Sequence, residues 1–363
     1  MRILALTKYG PLAASTRQRV LQYRPYLEAH GATLDVVPLL DDARLTWLGS
    51  GRQGRGVGLT SLVRSYWRRL CALRRARDYD LLWIQYELFP YLPGLFERLA
   101  TRTRIPYVVD FDDAIFHLYD RHPRGLVRGL LGRKLEPLLR RAAACMCGND
   151  YLLDYARQFC RAGILVPTVL DADHYVPASA PVPPSVPRVG WIGTPTNWRN
   201  VAPLLPAILP IIRRHGAVLR AIGAGAWARP EPGLEVVEWS EADELAELQA
   251  MSVGIMPLQD LPFQRGKCGY KLIQYMACAV PVVASPVGVN RDIVNAQDSG
   301  LLAETPEEWV AALDRLLSDP ALRAAMGMAG RRTVEAQFSL AVQEPRLLGA
   351  LTEAAGRRAP AAA

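Results

Sequence analysis

Three aspartates stand close together in the segment YVVDFDDAIF, residues 107–116, directly after an apolar run. The Asp110-x-Asp112 spacing could hold a divalent metal ion, because carboxylate oxygens are the ligands that hard divalent cations prefer. A carboxylate at Asp112 could instead accept a hydrogen bond from a substrate hydroxyl and serve as a general base. Asp113 could have a structural role as the cap of the next helix. All three alternatives are compatible with this segment alone.

The elements that must position these aspartates alternate regularly along the first half of the chain. A helix is predicted over residues 15–31, between the first two of a series of apolar strands. The alternation is typical of a parallel sheet with helices on both faces. The predicted strands are residues 2–7, 33–39, 79–86, 106–111, 143–148 and 164–171.

The alternation stops at VPASAPVPPSVP, residues 176–187, and then starts again. Five prolines in twelve residues exclude a core strand or helix, so we predict a linker. Further strands are predicted at 188–193, 217–225, 234–239, 252–258 and 280–285, and helices at 200–216, 241–251, 270–279 and 305–319.

The sequence therefore predicts two doubly wound α/β domains. They cover residues 1–175 and 188–335, and we expect residues 336–363 to form a helix and tail that pack back on the first domain. Ligands bind at the carboxyl ends of the strands in such sheets, so the cleft between the two domains is the expected place for chemistry.

Positive charge is concentrated in the first half of the chain. Residues 1–175 contain 26 Lys and Arg against 17 Asp and Glu, whereas the remainder has 17 against 18. Residues 59–78 and 121–141 are each predicted to form a helix with an apolar stripe and an arginine-rich face. The stripe of the first helix consists of Leu59, Leu62, Val63, Trp67, Leu70 and Leu73.

Two alternatives explain these helices. The stripes could pack in the core and leave the arginines in solvent, or they could lie on an anionic membrane surface. Nucleic acid is not an expected partner, because no known nucleic-acid-binding motif is present.

The cysteines and the apolar runs indicate the cellular location of the protein. The six cysteines show neither disulfide nor zinc spacing, and no apolar run is long enough to span a bilayer. The start, MRILALTKYG, is predicted to be a strand rather than a signal peptide. We expect a cytoplasmic protein, associated peripherally with the inner leaflet of the cell membrane if the basic helices bind lipid.

The segment KCGYKLIQYMACAVPVVASPVG, residues 267–288, resembles the signature of the family 4 glycosyltransferases, also called glycosyl transferases group 1. Residues 10–31, 188–197 and 299–331 resemble the first glycine loop, the opening strand of the donor domain and the C-terminal helices of that family. The resemblance implies the α/β GT-B fold, in which two Rossmann-like domains face a central cleft. The segment VVDFDDAIF is similar to that of a subgroup with an aspartate-rich strand end.

The resemblance also implies a reaction. A sugar would pass from a nucleotide-sugar donor to a saccharide or lipid-linked acceptor, with retention and without a metal cofactor, in cell-surface polysaccharide or glycolipid biosynthesis. The alternatives are a GT-B epimerase of nucleotide sugars and a non-catalytic partner that binds a nucleotide sugar.

Residue by residue, the resemblance implies a site whose positive charge and N–H groups stabilise the leaving diphosphate. The residues implied for nucleotide-sugar binding are Gly193, Thr194, Lys267, Gly269, Tyr270 and Gln274. Those implied for catalysis are Asp112, Arg199 and Lys271. Those on the acceptor side are Gly10, Arg17 and Glu87.

This sequence departs from the family pattern at three positions. The family signature has two glutamates separated by seven residues, which fall here on Gly266 and Gln274. The first glutamate contacts the donor sugar and the second grips the ribose. The usual arginine of the glycine turn falls on Thr194. The identity of the donor sugar is therefore open.

Overall fold

The computed structural model describes residues 1–40, 59–179 and 186–357. Parts of the predicted first domain, linker and tail (residues 41–58, 180–185 and 358–363) lie outside the described residues. Within the described chain there are two sheets, each with six parallel strands, and the predicted doubly wound α/β class is confirmed.

The first sheet has the strand order β2-β1-β3-β4-β5-β6. Its strands are β1 Arg2–Thr7, β2 Thr33–Pro38, β3 Leu81–Gln85, β4 Tyr107–Phe111, β5 Ala144–Cys147 and β6 Gly163–Leu165. The second sheet has the order β12-β11-β10-β7-β8-β9. Its strands are β7 Arg188–Ile192, β8 Val218–Ile222, β9 Leu234–Val237, β10 Val253–Met256, β11 Val282–Ala284 and β12 Gly300–Leu302.

Helices cover the faces of both sheets. Those that accompany the first sheet are α1 Ala14–Arg19, α2 Arg24–Ala29, α3 Leu59–Arg74, α4 Gly94–Ala100, α5 His117–Asp120, α6 Gly125–Leu131, α7 Glu136–Leu139 and α8 Asp150–Arg157. Those that follow are α9 Leu205–Arg214, α10 Glu244–Gln249, α11 Pro262–Arg265, α12 Tyr270–Ala277, α13 Asn290–Asn295, α14 Pro306–Ser318, α15 Pro320–Thr333 and α16 Leu340–Gly356.

The central strands are mostly apolar because both faces of each sheet are covered, with Gln85 and Asp110 as polar exceptions. Every residue of β3 and β4 is buried. The last helix, α16, returns to the first sheet, where Leu347 and Leu351 pack in one buried cluster with Ile3 and Trp83.

Three predicted elements differ most from the structure, and the strand β12 was not predicted. The helix predicted over 15–31 is divided into α1 and α2, because Pro25 lacks an N–H and starts a new helix. The helix predicted over 121–141 is divided into α6 and α7, and the turn between them carries the buried Lys134 into the core. The strand predicted over 164–171 ends at Leu165.

The helix α3 has an orientation that its sequence pattern does not indicate. Ser65, Arg69 and Ala72 are buried. The side chains of Val63, Trp67 and Leu70 are 58%, 59% and 43% exposed. The alternative in which this apolar stripe packs in the core is therefore wrong for these three residues. None of the described helices is long and apolar enough to cross a membrane.

A buried ion pair fixes α1 to the middle of the first sheet. Arg19 Nη2 lies 2.5 Å from Asp110 Oδ1, and its Nε lies 3.1 Å from Asp110 Oδ2. The same guanidinium donates to the carbonyl oxygen of Val166 at 2.6 Å. Arg19 and Asp110 are almost fully buried, so each charge is compensated by the other rather than by water.

We predict that Arg19→Leu lowers the free energy of unfolding by about 3–5 kcal/mol, because it leaves the Asp110 carboxylate buried and unpaired. The measurement is urea unfolding followed by circular dichroism. Arg157→Ala is the control: it removes an exposed pair with Asp154 and should cost less than about 1 kcal/mol. Equal effects of the two substitutions would contradict this account of the ion pair.

Candidate active site

The two domains meet at the carboxyl ends of their strands. The segment 266–268, just before α12, lies against the end of β4 and the start of α8. Lys267 Nζ lies 3.3 Å from Asp113 Oδ1, and Cys268 Sγ lies 3.1 Å from the carbonyl oxygen of Asp112. Asn149 Nδ2 donates to the carbonyl oxygen of Lys267 at 3.0 Å. The cleft predicted from the strand order is therefore closed at this point.

Two glycines permit this close approach. A Cβ atom at Gly266 would lie 2.4 Å from the Cβ of Ala114, and one at Gly148 would lie 2.3 Å from Cys268 Sγ. Neither position has room for a side chain in this arrangement. Gly266 is where the family resemblance expects a glutamate at the donor sugar, so the closed cleft has no space for a carboxylate on this residue.

The start of α12 has the features of an anion-binding helix terminus. Gly269 precedes the helix with a φ of 68°, a left-handed conformation that favours glycine. Leu272 N–H donates to the carbonyl oxygen of Gly269 at 2.9 Å, so the N–H groups of Tyr270 and Lys271 are the ones without an intrahelical acceptor. The helix dipole adds partial positive charge at this end. Lys267 and Lys271 flank the turn, so backbone and side-chain charge have the same sign.

Lys271 lies in a narrow recess at the point where the strand order of the second sheet reverses. Burial, assisted by the nearby Lys267 ammonium, lowers the pKa of Lys271 to about 8. Its ammonium makes no ion pair with the described residues. The recess is lined by Trp191, Asn197, Asn200, Met256, Pro257, Leu258, Lys267 and Lys271.

The absence of a side chain at Gly193 leaves space for the Lys271 side chain. A Cβ at Gly193 would lie 2.7 Å from the Trp191 ring and 2.9 Å from Lys271 Cε. The next residue, Thr194, is exposed and its hydroxyl accepts a hydrogen bond from Asn197 Nδ2 at 3.0 Å. The glycine turn thus lies directly against the lysine.

Arg199 is not brought into the recess. It is exposed on the 3-10 segment Pro195–Asn200, and its side chain makes no hydrogen bond or ion pair with any described residue. Asn197 and Asn200 line the recess instead, and the sequence analysis missed them. Their signal was present: two amides three residues apart in one turn of a 3-10 helix share a face.

The three aspartates have three different partners. Asp110 is held by Arg19, and Asp113 pairs with Lys267 rather than capping α5, whose cap position is Phe116. Asp112 accepts a hydrogen bond from the Tyr86 hydroxyl. Burial and the neighbouring Asp113 carboxylate raise the pKa of Asp112 to about 7, which suits a group that exchanges a proton near neutral pH.

The backbone of Tyr86, the hydrogen-bond partner of Asp112, is strained. Tyr86 has a φ of 65°, a conformation that costs a residue with a side chain on the order of 1 kcal/mol or more. Such strain persists where the surrounding structure fixes it. Here it places the phenol on Asp112 at the mouth of the cleft.

Tyr270 and Gln274 lie on one face of α12, and Gln274 contacts a carboxylate that the sequence analysis did not select. Gln274 Nε2 donates to Glu244 Oε1 at 2.8 Å. Burial, together with Tyr175 and Glu244, raises the pKa of the Tyr270 phenol. The residue at the family's ribose position is therefore hydrogen bonded to a glutamate from α10.

Glu87 is not an open acceptor contact. It is fully buried, with Lys8 Nζ at 3.2 Å and the Tyr119 hydroxyl at 2.9 Å, and it also pairs with Lys134. Burial raises the pKa of Glu87, but the two lysines more than offset this and hold it below the usual range. We correct the prediction accordingly: Glu87 organises the loops after β1 and β3 from within the core.

The remaining acceptor-side residues belong to the loop after β1. Gly10 is buried, and its carbonyl oxygen accepts from the Ala13 N–H at 3.1 Å. Arg17 donates to the carbonyl oxygen of Leu12 at 2.8 Å, and its guanidinium lies 5.6 Å from the centre of the Trp239 ring in the second domain. Arg17 therefore contacts both sides of the cleft.

We predict that the affinity for a nucleoside diphosphate falls as pH rises from 7 to 9. Lys271, with a pKa of about 8, loses its charge over this range, so the charged fraction and the affinity fall about tenfold. Lys271→Ala should also lower turnover at least about tenfold, or roughly 1.4 kcal/mol of transition-state stabilisation. Calorimetric titration at several pH values measures the first effect.

The matched control is Lys271→Arg. A guanidinium keeps its charge throughout this pH range, so the variant should bind without the decline. A wild-type decline that persists in Lys271→Arg would assign the effect to another group, and normal turnover in a folded Lys271→Ala variant would place the phosphate elsewhere.

Comparisons with known proteins indicate a family for part of the chain. Residues 186–319 match the sequence profile of the family described as Glycosyl transferases group 1. A segment of 85 residues, 21% of this chain, is 38% identical to a D-inositol 3-phosphate glycosyltransferase of Kineococcus radiotolerans. The match spans only about a fifth (20%) of the length of that curated relative.

Solved structures show the same fold over nearly the whole chain. A sucrose-phosphate synthase from Thermosynechococcus elongatus superposes with a TM-score of 0.73 and 18% identity, covering 97% of this chain and 98% of its own. Anabaena Alr3699/HepE, solved with UDP and glucose, superposes with a TM-score of 0.72 and 15% identity, covering 97% of this chain and 99% of its own. The predicted fold is confirmed, and so is the family resemblance over residues 186–319, which match the glycosyl transferases group 1 within a chain that has the two-domain GT-B fold.

Proposed function

We propose that this protein is a glycosyltransferase that moves a sugar from a nucleotide-sugar donor to a saccharide or lipid-linked acceptor. One observation carries the proposal: Lys271, largely buried and without an ion-pair partner among the described residues, lies at the start of α12 in a recess of the second domain. A cation and helix N–H groups directed at one place suit the negative charge that develops on a leaving diphosphate.

The charges in the cleft also support a reaction without a metal ion. Lys267, Lys271 and the α12 terminus supply the positive charge that a divalent cation provides in other phosphate sites. The carboxylate of Asp110 already has both oxygens on Arg19, which argues against the Asp110-x-Asp112 metal site. We propose that the donor sugar binds without a cofactor and that the new bond forms with retention.

Asp112 is the proposed acid–base or orienting group on the acceptor side. Its carboxylate lies at the end of β4, opposite the segment that precedes α12, and its raised pKa lets it accept a proton from a sugar hydroxyl. In a retaining transfer the leaving phosphate takes the acceptor's proton, so Asp112 then mainly orients the sugar. The pathway we propose is the assembly of a cell-surface polysaccharide or glycolipid.

A panel of nucleotide sugars, incubated with the protein without acceptor, tests the proposal. Slow release of nucleoside diphosphate from one donor is the expected result. Release of an epimerised sugar would favour an epimerase instead. Measurable binding with no product from any donor would favour a non-catalytic nucleotide-sugar-binding partner.

Chelation tests the metal-independent part separately. We predict that the hydrolytic activity persists after treatment with EDTA and does not rise with added manganese, because lysines and N–H groups supply the positive charge. Loss of activity on chelation, restored by manganese, would contradict this and return Asp110 and Asp112 to consideration as ligands.

A specific surface favours a membrane-bound acceptor. The basic apolar surface consists of the exposed apolar residues Val63, Trp67 and Leu70 of α3 and Leu95, Phe96 and Leu99 of α4. The Tyr66 hydroxyl donates to the carbonyl oxygen of Pro90, which joins α3 to the segment before α4. The two helices contain one acidic residue, Glu97, and it is buried.

We therefore propose that a protein of the cytoplasm associates with the anionic inner leaflet through this surface. Arginine headgroup contacts near such a membrane are each worth on the order of 1 kcal/mol, and Trp67 suits the interface between headgroups and acyl chains. Arg69 takes no part, because it is buried and donates to the carbonyl oxygen of Thr7 at 2.6 Å.

Sedimentation with vesicles measures this association. We predict binding to vesicles that contain phosphatidylglycerol, little binding to neutral vesicles, and release by about 0.5 M salt, where the Debye length is roughly 4–5 Å. Charge reversal at the exposed Arg64, Arg74 and Arg75 should abolish binding, and Trp67→Ser should weaken it.

The control is Trp227→Ser, which removes a tryptophan of similar exposure (53%) from the other domain and should leave vesicle binding unchanged. Equal and negligible binding of the wild type to both kinds of vesicle would favour a water-soluble acceptor.

A further inference from the structure

The ion pair between Lys267 and Asp113 joins the two domains beside the start of α12. Of the ion pairs between described residues, it is the one that connects residues 1–175 with residues 188–335. The Asp113 carboxylate makes no other hydrogen bond with a described group. Its side chain is 34% exposed, so water can reach it if the pair opens.

Asp113 compensates positive charge at both lysines of this site. Burial lowers the pKa of Lys271, the Lys267 ammonium lowers it further, and the Asp113 carboxylate opposes both effects. The three charges therefore lie close enough to act on one another. Lys267 and Lys271 line the same recess, and neither forms an ion pair with another described carboxylate. A carboxylate of the first domain is thus the counter-ion of two lysines that suit a phosphate.

A diphosphate at the start of α12 must compete with Asp113 for Lys267. A lysine ammonium is a compact charge on a flexible stem, so Lys267 can turn from the carboxylate to a phosphate oxygen by rotation of its own side chain. Asp113 then lies beside a second anion, and water replaces its lost partner. Binding breaks one ion pair as it forms another, so Asp113 lowers the affinity for the diphosphate.

We propose that Asp113 is a positioning residue that holds Lys267 in the empty site and yields it to the diphosphate of the donor. After transfer the same carboxylate pairs with Lys267 again, which favours release of the nucleoside diphosphate. The inference rests on the proposed function, since it assumes that a diphosphate binds at α12. Asp113 touches no atom of the substrate and acts only through Lys267.

Calorimetric titration of UDP, GDP and ADP at pH 7 and one salt concentration tests the proposal. Asp113→Asn should raise the affinity for a bound nucleoside diphosphate about fivefold, because it frees Lys267 from a partly exposed ion pair of ordinary strength. Asp113→Glu keeps the charge and should stay within about twofold of the wild type. Damage to the fold would lower the affinity, so a gain separates this role from a merely structural one.

Asp120→Asn is the matched control. The Asp120 side chain has a similar exposure (36%) and pairs with His117 of its own domain, so its substitution should leave the affinity unchanged. Lys267→Met tests the route of the effect. In that background Asp113→Asn should raise the affinity at most about twofold, because only repulsion at longer range remains and salt screens it.

The outcomes separate this inference from the proposed function. Unchanged or lower affinity in Asp113→Asn would overturn the inference and leave the proposed function standing. An equal gain in the Lys267→Met background, or an equal gain in Asp113→Glu, would also overturn it, since Asp113 would not act by holding Lys267. Failure of the wild type to bind any of the three nucleoside diphosphates would overturn the proposed function and the inference with it.

Discussion

The close contact between the segment before α12 and the end of β4 is the constraint on which the site depends. Backbone lies against backbone there, and Gly266 and Gly148 are the residues that allow it, because a Cβ at either would fall within 2.4 Å of the opposite domain. The contact aligns Lys267 with Asp113 and brings the α12 terminus to the mouth of the cleft. Loss of this approach would separate the phosphate-binding charges from the aspartates on β4.

Buried charges in the first domain hold the loops that face this contact. Lys8 and Lys134 enclose Glu87, and Lys134 also lies 3.4 Å from Glu97 Oε1. The Glu97 carboxylate accepts in turn from the N–H groups of Leu88 and Phe89. Buried ion pairs contribute little net stability, because desolvation offsets their attraction. Their directional bonds instead fix the ends of β1 and β3, from which the strained Tyr86 reaches Asp112.

The sequence pattern was sufficient for the helix α12 and for every strand except β12 (Gly300–Leu302), which was not predicted. Apolar runs predict buried parallel strands, and a glycine between two lysines at a helix start predicts an anion site around Gly269. Contacts between distant segments could not be predicted from such local patterns. Neither the burial of Glu87 nor the link from Gln274 to Glu244 leaves a local signal, since each depends on residues far apart in the chain.

The outward-facing stripe of α3 was also ambiguous, because an amphipathic pattern does not state which face meets the core. Arg199 was assigned to the site because it is close in sequence to the glycine turn. The 3-10 geometry directs Asn197 and Asn200 to the recess instead.

A crystal structure of the protein with a bound nucleoside diphosphate tests the central claim most directly. The account predicts that the diphosphate lies at the first turn of α12, with Lys271 Nζ within hydrogen-bond distance of a phosphate oxygen and no metal ion between them. A diphosphate held elsewhere in the cleft, or held at the aspartates of β4 through a divalent ion, would contradict it.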